Sequence, residues 1–532
     1  MYDILIKNGT LIDGSGRPMY RADVAIKDKS IVAIGDLSRA SATRVIDATD
    51  HYVTPGFIDV NNHADTYWQL LAHPELESLL YQGITTIIGG NSGSSLAPLA
   101  DPETIRSIQK WTDIEKINFN WLSMQEFLRE VGRRRPAVNF ATLVGHGTLR
   151  RGAMKDKTRT ITPDEIESMQ RMLRTALKEG AIGLSTGLKY THARAAGIRE
   201  LSVLARTTVA QDGLYVTYMR DEEGDLIKAV EEAIAVARDA EVPLHISHLK
   251  AVGKHNWHLM SEAFNLIETA ALNDIRISFD VYPYTTTASV LYTLLPEWVT
   301  QEGRAMMLER LKDPSVRNTV LRDMRANHID YAQIIIATST LSKMLSRKKI
   351  SELATSQGKP PEETVLDFLI ASQGRATVSL EVLSEKNVLH AIQHPFSIIS
   401  SNGVGYSVDH KKTGELVHPR NFGTFPKVFA EYVRTQKALS WEEAVHKMSG
   451  KPAIKFQLKH RGLLQAGYFA DIVVFRPDVI KDCATTEDPY QYAVGISWMM
   501  INGHLIMEEG ALLPTKRYGE VLQHKKESWF GW

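Results

Sequence analysis

Between residues 53 and 401 the chain repeats one pattern eight times: a short apolar run, followed in most cases by an amphipathic helical stretch. The runs are residues 53–60, 84–89, 138–144, 181–185, 214–219, 243–248, 276–281 and 396–401. A strand that is apolar on both faces suits a parallel sheet covered by helices. Stretches such as 163–179 and 226–240 carry apolar residues at helical spacing. Eight such units over about 400 residues predict a (β/α)8 TIM barrel, in which chemistry sits at the C-terminal ends of the strands. The long gap before the eighth run, residues 295–373, reads as an insertion over the barrel mouth, with helices and one strand at 333–338.

Both ends of the chain read differently. Short strands with turn signals (Asn8-Gly9, Asp13-Gly14, Asn502-Gly503) fill the first 54 residues and the segment from 456 to 532. The expected organisation is a small β-sandwich built from residues 1–54 plus 456–532, and a barrel over 55–455. Lys plus Arg number 62, equal to Asp plus Glu, so no net field favours nucleic acid or an anionic membrane. The single cysteine, Cys483, allows no internal disulfide and no thiolate cluster for zinc. The start, Met-Tyr-Asp-Ile-Leu-Ile-Lys, lacks the basic and apolar regions of a secretory signal. No apolar run approaches the roughly 20 residues that span a bilayer. A soluble cytoplasmic protein is expected, with a homo-oligomer left open.

The first barrel strand ends in Pro55-Gly56-Phe57-Ile58-Asp59-Val60-Asn61-Asn62-His63. This resembles the amidohydrolase superfamily, whose first strand ends in Pro-Gly-Phe-Ile-Asp-x-His-x-His. Further stretches resemble its N-acyl-D-amino-acid deacylase branch, in the same order and over nearly the whole chain. They include Gly145-His146-Gly147-Thr148, Gly183-Leu184-Ser185-Thr186-Gly187, Tyr218-Met219-Arg220, His245-Ile246-Ser247-His248-Leu249-Lys250, Asp280-Val281-Tyr282-Pro283-Tyr284, Ser401-Asn402-Gly403 and His418-Pro419-Arg420.

The resemblance implies a metal site at the strand ends, and there the chain departs from it. The first histidine position holds Asn61, and His63 remains. The metal-holding cysteine after strand two is Ser92. The strand-five histidine is Tyr218, the strand-six histidine is His248, and the strand-eight aspartate, both base and metal contact, is Asn402. Neutral Asn, Ser and Tyr are weak zinc ligands. No cofactor is therefore expected, or at most one weakly bound zinc at His63 and His248. An amide such as Asn402 has no basic site near neutrality. Candidates for acid–base chemistry are then His63, Tyr218, His248 and Lys250, with Asn402 beside them. The resemblance gives Tyr190, Tyr282, Tyr284, Ser289 and Arg420 to the substrate, joined by Ser92. An arginine suits a carboxylate because its planar fork meets both oxygens. Counted along its strand, His245 lies three residues from His248 and so faces the helices, in a structural role. His146 is expected behind the site.

Three readings follow. One is a metal-depleted amidohydrolase homologue that binds or acts on an N-acyl amino acid, or a related carboxylate- and amide-bearing small molecule, by metal-independent acid–base chemistry. Another is an inactive relative with a binding or assembly role. The last is a single-zinc N-acyl-D-amino-acid deacylase.

Overall fold

The computed structural model describes residues 1–523 except 156, 302, 328, 340, 342–344, 515 and 516. Eight parallel strands form the barrel: Phe57–Asp59, Ile84–Gly89, Asn139–Thr142 with its continuation Val144–Gly145, Gly183–Gly187, Leu214–Tyr218, Leu244–Ile246, Ile277–Val281 and Ser397–Ile399. They pair in sequence order from the first to the eighth. The eighth closes on the first through a parallel bridge between Asn62 and Gly403. There the His63 N–H donates to Gly403 O at 2.8 Å, and the Ser401 N–H to Asp59 Oδ1 at 2.9 Å. Every residue of Ile84–Gly89 and of Leu214–Tyr218 is buried, as a sheet covered on both faces requires. The covering helices start where their sequence says. Thr162 and Glu165 form a capping box ahead of Pro163–Lys178, with proline in the first turn.

The first apolar run divides between two sheets. Tyr52–Pro55 pairs antiparallel with Ile472–Phe475, and only Phe57–Asp59 joins the barrel. Gly56 makes the join because a Cβ there would lie 2.2 Å from the Thr85 side chain. Around Tyr52–Pro55 a seven-stranded sheet mixes both chain ends, and a four-stranded sheet of N-terminal strands packs beside it. Their shared core joins Ile4, Ile6, Val24 and Ile26 to Ile472, Val474 and Met500. The hairpin before His504–Glu508 turns at Asn502 and Gly503, both with positive φ (48° and 77°), the pairing a two-residue hairpin loop needs. Phe456 and Leu458, expected with this small domain, instead pack with Ile58, Val60, Ile88 and Val216 inside the barrel, because an eight-stranded barrel has an interior that side chains must fill.

The insertion is wider than residues 295–373. It begins with Thr286–Val290 and ends with Ala376–Glu381, which pair antiparallel to each other, while Ile334–Ser339 pairs to the far side of Ala376–Glu381. Both added strands, Thr286–Val290 and Ala376–Glu381, lie outside the bounds read from the sequence. The unit has its own core, including Leu291, Leu311, Val320, Ile336 and Leu366. Among the described residues, no helix is long and apolar enough to cross a membrane.

Candidate functional site

Three of the strand-end residues sit in left-handed backbone: Ser92 (φ 54°), His248 (φ 39°) and Asn402 (φ 45°). Non-glycine residues held there carry strain of about 1 kcal/mol or more each, and such positions cluster at binding and active sites. All three line one cavity at the barrel mouth, together with His63, Tyr190, Tyr218, Lys250, Ser289 and Arg420. Tyr282 lines a smaller adjoining pocket with His248 and Lys250, and the Arg420 guanidinium stands 5.1 Å from its ring centroid.

Two expectations need correction. Tyr284 lines neither space. Its N–H donates to Tyr282 O at 3.0 Å, a tight turn just past strand seven. That turn sends the ring against His418 and the Lys427 ammonium. His245 faces the barrel interior, not the helices. Its neighbours Leu244 and Ile246 pack in the large core shared with the helices, whereas His245 Nε2 lies 3.0 Å from Asp280 Oδ2 and Nδ1 lies 2.8 Å from Ser278 Oγ. The strand ends at Ile246, and the left-handed turn at His248 brings that residue to the same side. Counting by twos along the sequence fails once the strand has stopped. His146 is fully buried 2.8 Å from Glu200, which also accepts from Arg150, a network behind strand three.

Glu222 is the residue that sequence reasoning missed. It is 3% exposed, accepts a hydrogen bond from Lys250 Nζ and lies 3.0 Å from His248 Nδ1. Burial by itself raises a carboxyl group's pKa. The charge of Lys250, the hydrogen bond with His248 and the charge of Lys189 outweigh it and hold Glu222 down at about 2. The available signal was its place in Asp221-Glu222-Glu223, directly beyond the strand-five end. Lys250 Nζ also lies 2.8 Å from His248 Nδ1. With Nδ1 engaged, Nε2 is the ring nitrogen left for a ligand. The His248 ring meets Tyr218 edge to face at 4.5 Å, and Tyr190 meets Tyr218 the same way at 5.5 Å.

Burial, reinforced by Lys250, lowers the His248 pKa below the ordinary histidine value, so the imidazole is neutral at pH 7. Burial, then the charge of Glu222, pushes the Tyr218 phenol well above its usual range and keeps its proton in place. His63 goes down to about 3, from burial first. Its Nε2 lies 2.8 Å from Asn402 Oδ1. A carboxamide oxygen only accepts, so the His63 proton sits on Nε2. Asn61 donates to Asp280 Oδ1 at 3.3 Å. Arg420 is 8% exposed, and its Nε and Nη1 are buried without a hydrogen-bond partner among the described residues. Buried donors are almost always satisfied, so this fork points to an acceptor supplied by a ligand.

Of the six positions that the resemblance gives to a metal, only His63 and His248 carry imidazole. His63 is committed to Asn402, and His248 is flanked by the Lys250 ammonium. Among the described residues no group of three or more His, Cys, Asp or Glu is placed to hold a metal ion.

The model of the amidohydrolase family matches residues 44–505. The chain is 34% identical to the D-aminoacylase of Alcaligenes xylosoxydans xylosoxydans, over 96% of this chain and 95% of that one. It is 33% identical to the N-acyl-D-aspartate deacylase of the same organism, over 98% and 95%. Among solved structures, the N-acyl-D-glutamate deacylase of Bordetella bronchiseptica, complexed with zinc and a phosphonate mimic of the tetrahedral intermediate, superposes with a TM-score of 0.83. That match covers 98% of this chain and 99% of the other at 30% identity.

Proposed function

Because this chain belongs to the amidohydrolase family, we propose that it binds an N-acyl amino acid and works on its amide by acid–base chemistry that needs no metal. The observation that carries this reading is one cavity holding both the unpartnered Arg420 fork and a histidine locked through Nδ1. The ligand's carboxylate accepts hydrogen bonds from the Arg420 guanidinium, which stands against the Tyr282 ring. Its amide then faces His248 Nε2 and the Tyr218 hydroxyl. His248 takes the proton from the attacking water, or from a nucleophile within the ligand, and returns it to the departing nitrogen. Tyr218 keeps its own proton and donates a hydrogen bond to the oxygen on which negative charge develops. Glu222 and Lys250 fix the His248 ring. His63 and Asn402 form a neutral pair at the cavity floor, in place of cationic machinery.

The chain's cysteine poverty supports a cytoplasmic setting. The test is turnover and calorimetric binding of N-acetyl amino acids of both hand by metal-analysed protein, with chelator and with added zinc. Turnover that survives chelator and disappears in His248→Asn supports the proposal. Activity restored by stoichiometric zinc and lost in His63→Ala replaces it with the single-zinc deacylase. Binding without turnover by any preparation replaces it with a binding protein.

A further inference from the structure

A second chamber of about 90 Å³ adjoins the central cavity and shares Ser92 and Tyr190 with it. Its cations converge from separate parts of the chain. Arg106 and Lys110 follow strand two, Arg151 belongs to the helix His146–Met154 after strand three, and Arg304 opens the helix Arg304–Lys312 of the insertion. Among the described residues no aspartate or glutamate lines the chamber.

Arg106 is largely exposed and pairs with Glu103 at 2.8 Å. Lys110 is placed differently. Its Nζ donates to Ser94 Oγ at 2.8 Å and Ser107 O at 3.0 Å, and lies 4.6 Å from the Tyr190 ring centroid. Among the described residues no carboxylate pairs with Lys110 or with Arg304. Both feel the cost. Burial and then Arg151 bring Lys110 down to about 7. Burial, then Arg375, Arg106 and Arg151, lower Arg304. Like charges gathered in a half-enclosed space repel one another, and an anion placed among them relieves each. Ala193, Tyr292 and Met307 supply apolar wall between the cations, which suits a short hydrocarbon arm ending in a charge.

We propose that this chamber binds an oxyanion, a carboxylate or phosphate, carried at the end of the ligand's acyl arm, which enters past Ser92 and Tyr190. The ligand is then a dianion, with one charge on Arg420 and the other between Lys110 and Arg304. This rests on the reading of Arg420 as the seat of the first carboxylate. The same cations would accept a free oxyanion from solution, and the experiment separates the two sources.

The experiment is calorimetry on the full-length protein with N-acetyl-D-leucine, which has one anion, N-succinyl- and N-glutaryl-D-leucine, which have two, and inorganic phosphate. Lys110→Met and Arg304→Ala are measured beside the wild type. The expected result is that a two-anion ligand binds roughly tenfold or more tightly than the acetyl compound, as an added charge-assisted contact gives. Either substitution should erase that advantage and leave acetyl binding unchanged. Equal affinity for the one-anion and two-anion ligands overturns the proposal and leaves the Arg420 reading standing. If no acyl amino acid binds but phosphate does, and phosphate is lost in both variants, the chamber stands as a site for a free oxyanion and the Arg420 reading fails. If neither binds, both fail.

Discussion

At the scale of single residues, the site depends on charges that are either over-committed or uncommitted. Glu222 belongs to the first kind, since it answers both Lys250 and His248. Glu222→Gln strands a buried ammonium, and breaking such a pair costs about 3 kcal/mol or more. Urea denaturation should show that loss, and Lys250→Met added to Glu222→Gln should recover part of it. Arg420 belongs to the second kind. Arg420→Met should weaken N-acyl amino acid binding about 30-fold. The same change removes two unsatisfied buried donors, so the variant should melt no lower than the wild type. A site whose key residue costs stability when empty is one built for a ligand. His63 gives a test with pH. Its folded pKa, about 3, lies below its ordinary 6.5. Above pH 6.5 neither state carries the proton. As pH falls below 6.5 the unfolded chain takes a proton that the fold refuses, so stability drops on acidification. By pH 5 this amounts to about 2 kcal/mol. Unfolding free energies of His63→Asn should fall less steeply than the wild type between pH 7 and pH 5, by that order.

At the scale of elements, strand ends and the turns beyond them place the chemistry. The turn carrying Ser92 packs directly on the end of strand four: a Cβ on Gly187 would lie 2.2 Å from Ser92 O, and one on Gly93 would lie 2.6 Å from Gly187 N. Both obstacles are backbone, which has little freedom to yield. Gly187→Ala should therefore cost about 2 kcal/mol through overpacking. It should also move Ser92 and Tyr190 together, lowering ligand affinity, as a thermal melt and calorimetry would show. Element identity was legible in the sequence because apolar period and length separate strand from helix. The helix Leu226–Ala240 runs over the stretch that its spacing indicates. Side-chain direction beyond the last strand residue was not legible. His245, Tyr284 and Glu222 all depend on turns after the ladder ends, where no period operates.

At the scale of the whole molecule, the two chain ends are one structural unit. Tyr52–Pro55 has Thr10–Leu11 on one side and Ile472–Phe475 on the other. A chain stopped at residue 470 would keep the barrel strands. It would also bare that edge and take Ile472, Val474 and Met500 out of the small-domain core. Exposed apolar edges pair with other chains, so the truncated protein should aggregate and show no cooperative melt. The insertion has a separate core and both ends near strand seven's exit. Replacing residues 286–381 by a short Gly/Ser linker should leave a cooperative melt for the barrel and weaken ligand binding, because Ser289 leaves the wall of the central cavity.

The sequence by itself determined the eight-unit barrel, the composite small domain and the residue types at the strand ends: Asn61, Ser92, Tyr218 and Asn402. Each of these is written in local pattern or residue type. Only the tertiary structure decided which groups answer one another: Glu222 with Lys250 and His248, His63 with Asn402, Arg420 with the Tyr282 ring, and four cations from three parts of the chain around one chamber. Those relations join residues up to 339 positions apart. They are set by how the strands close into a ring, and no local period in the chain encodes that distance.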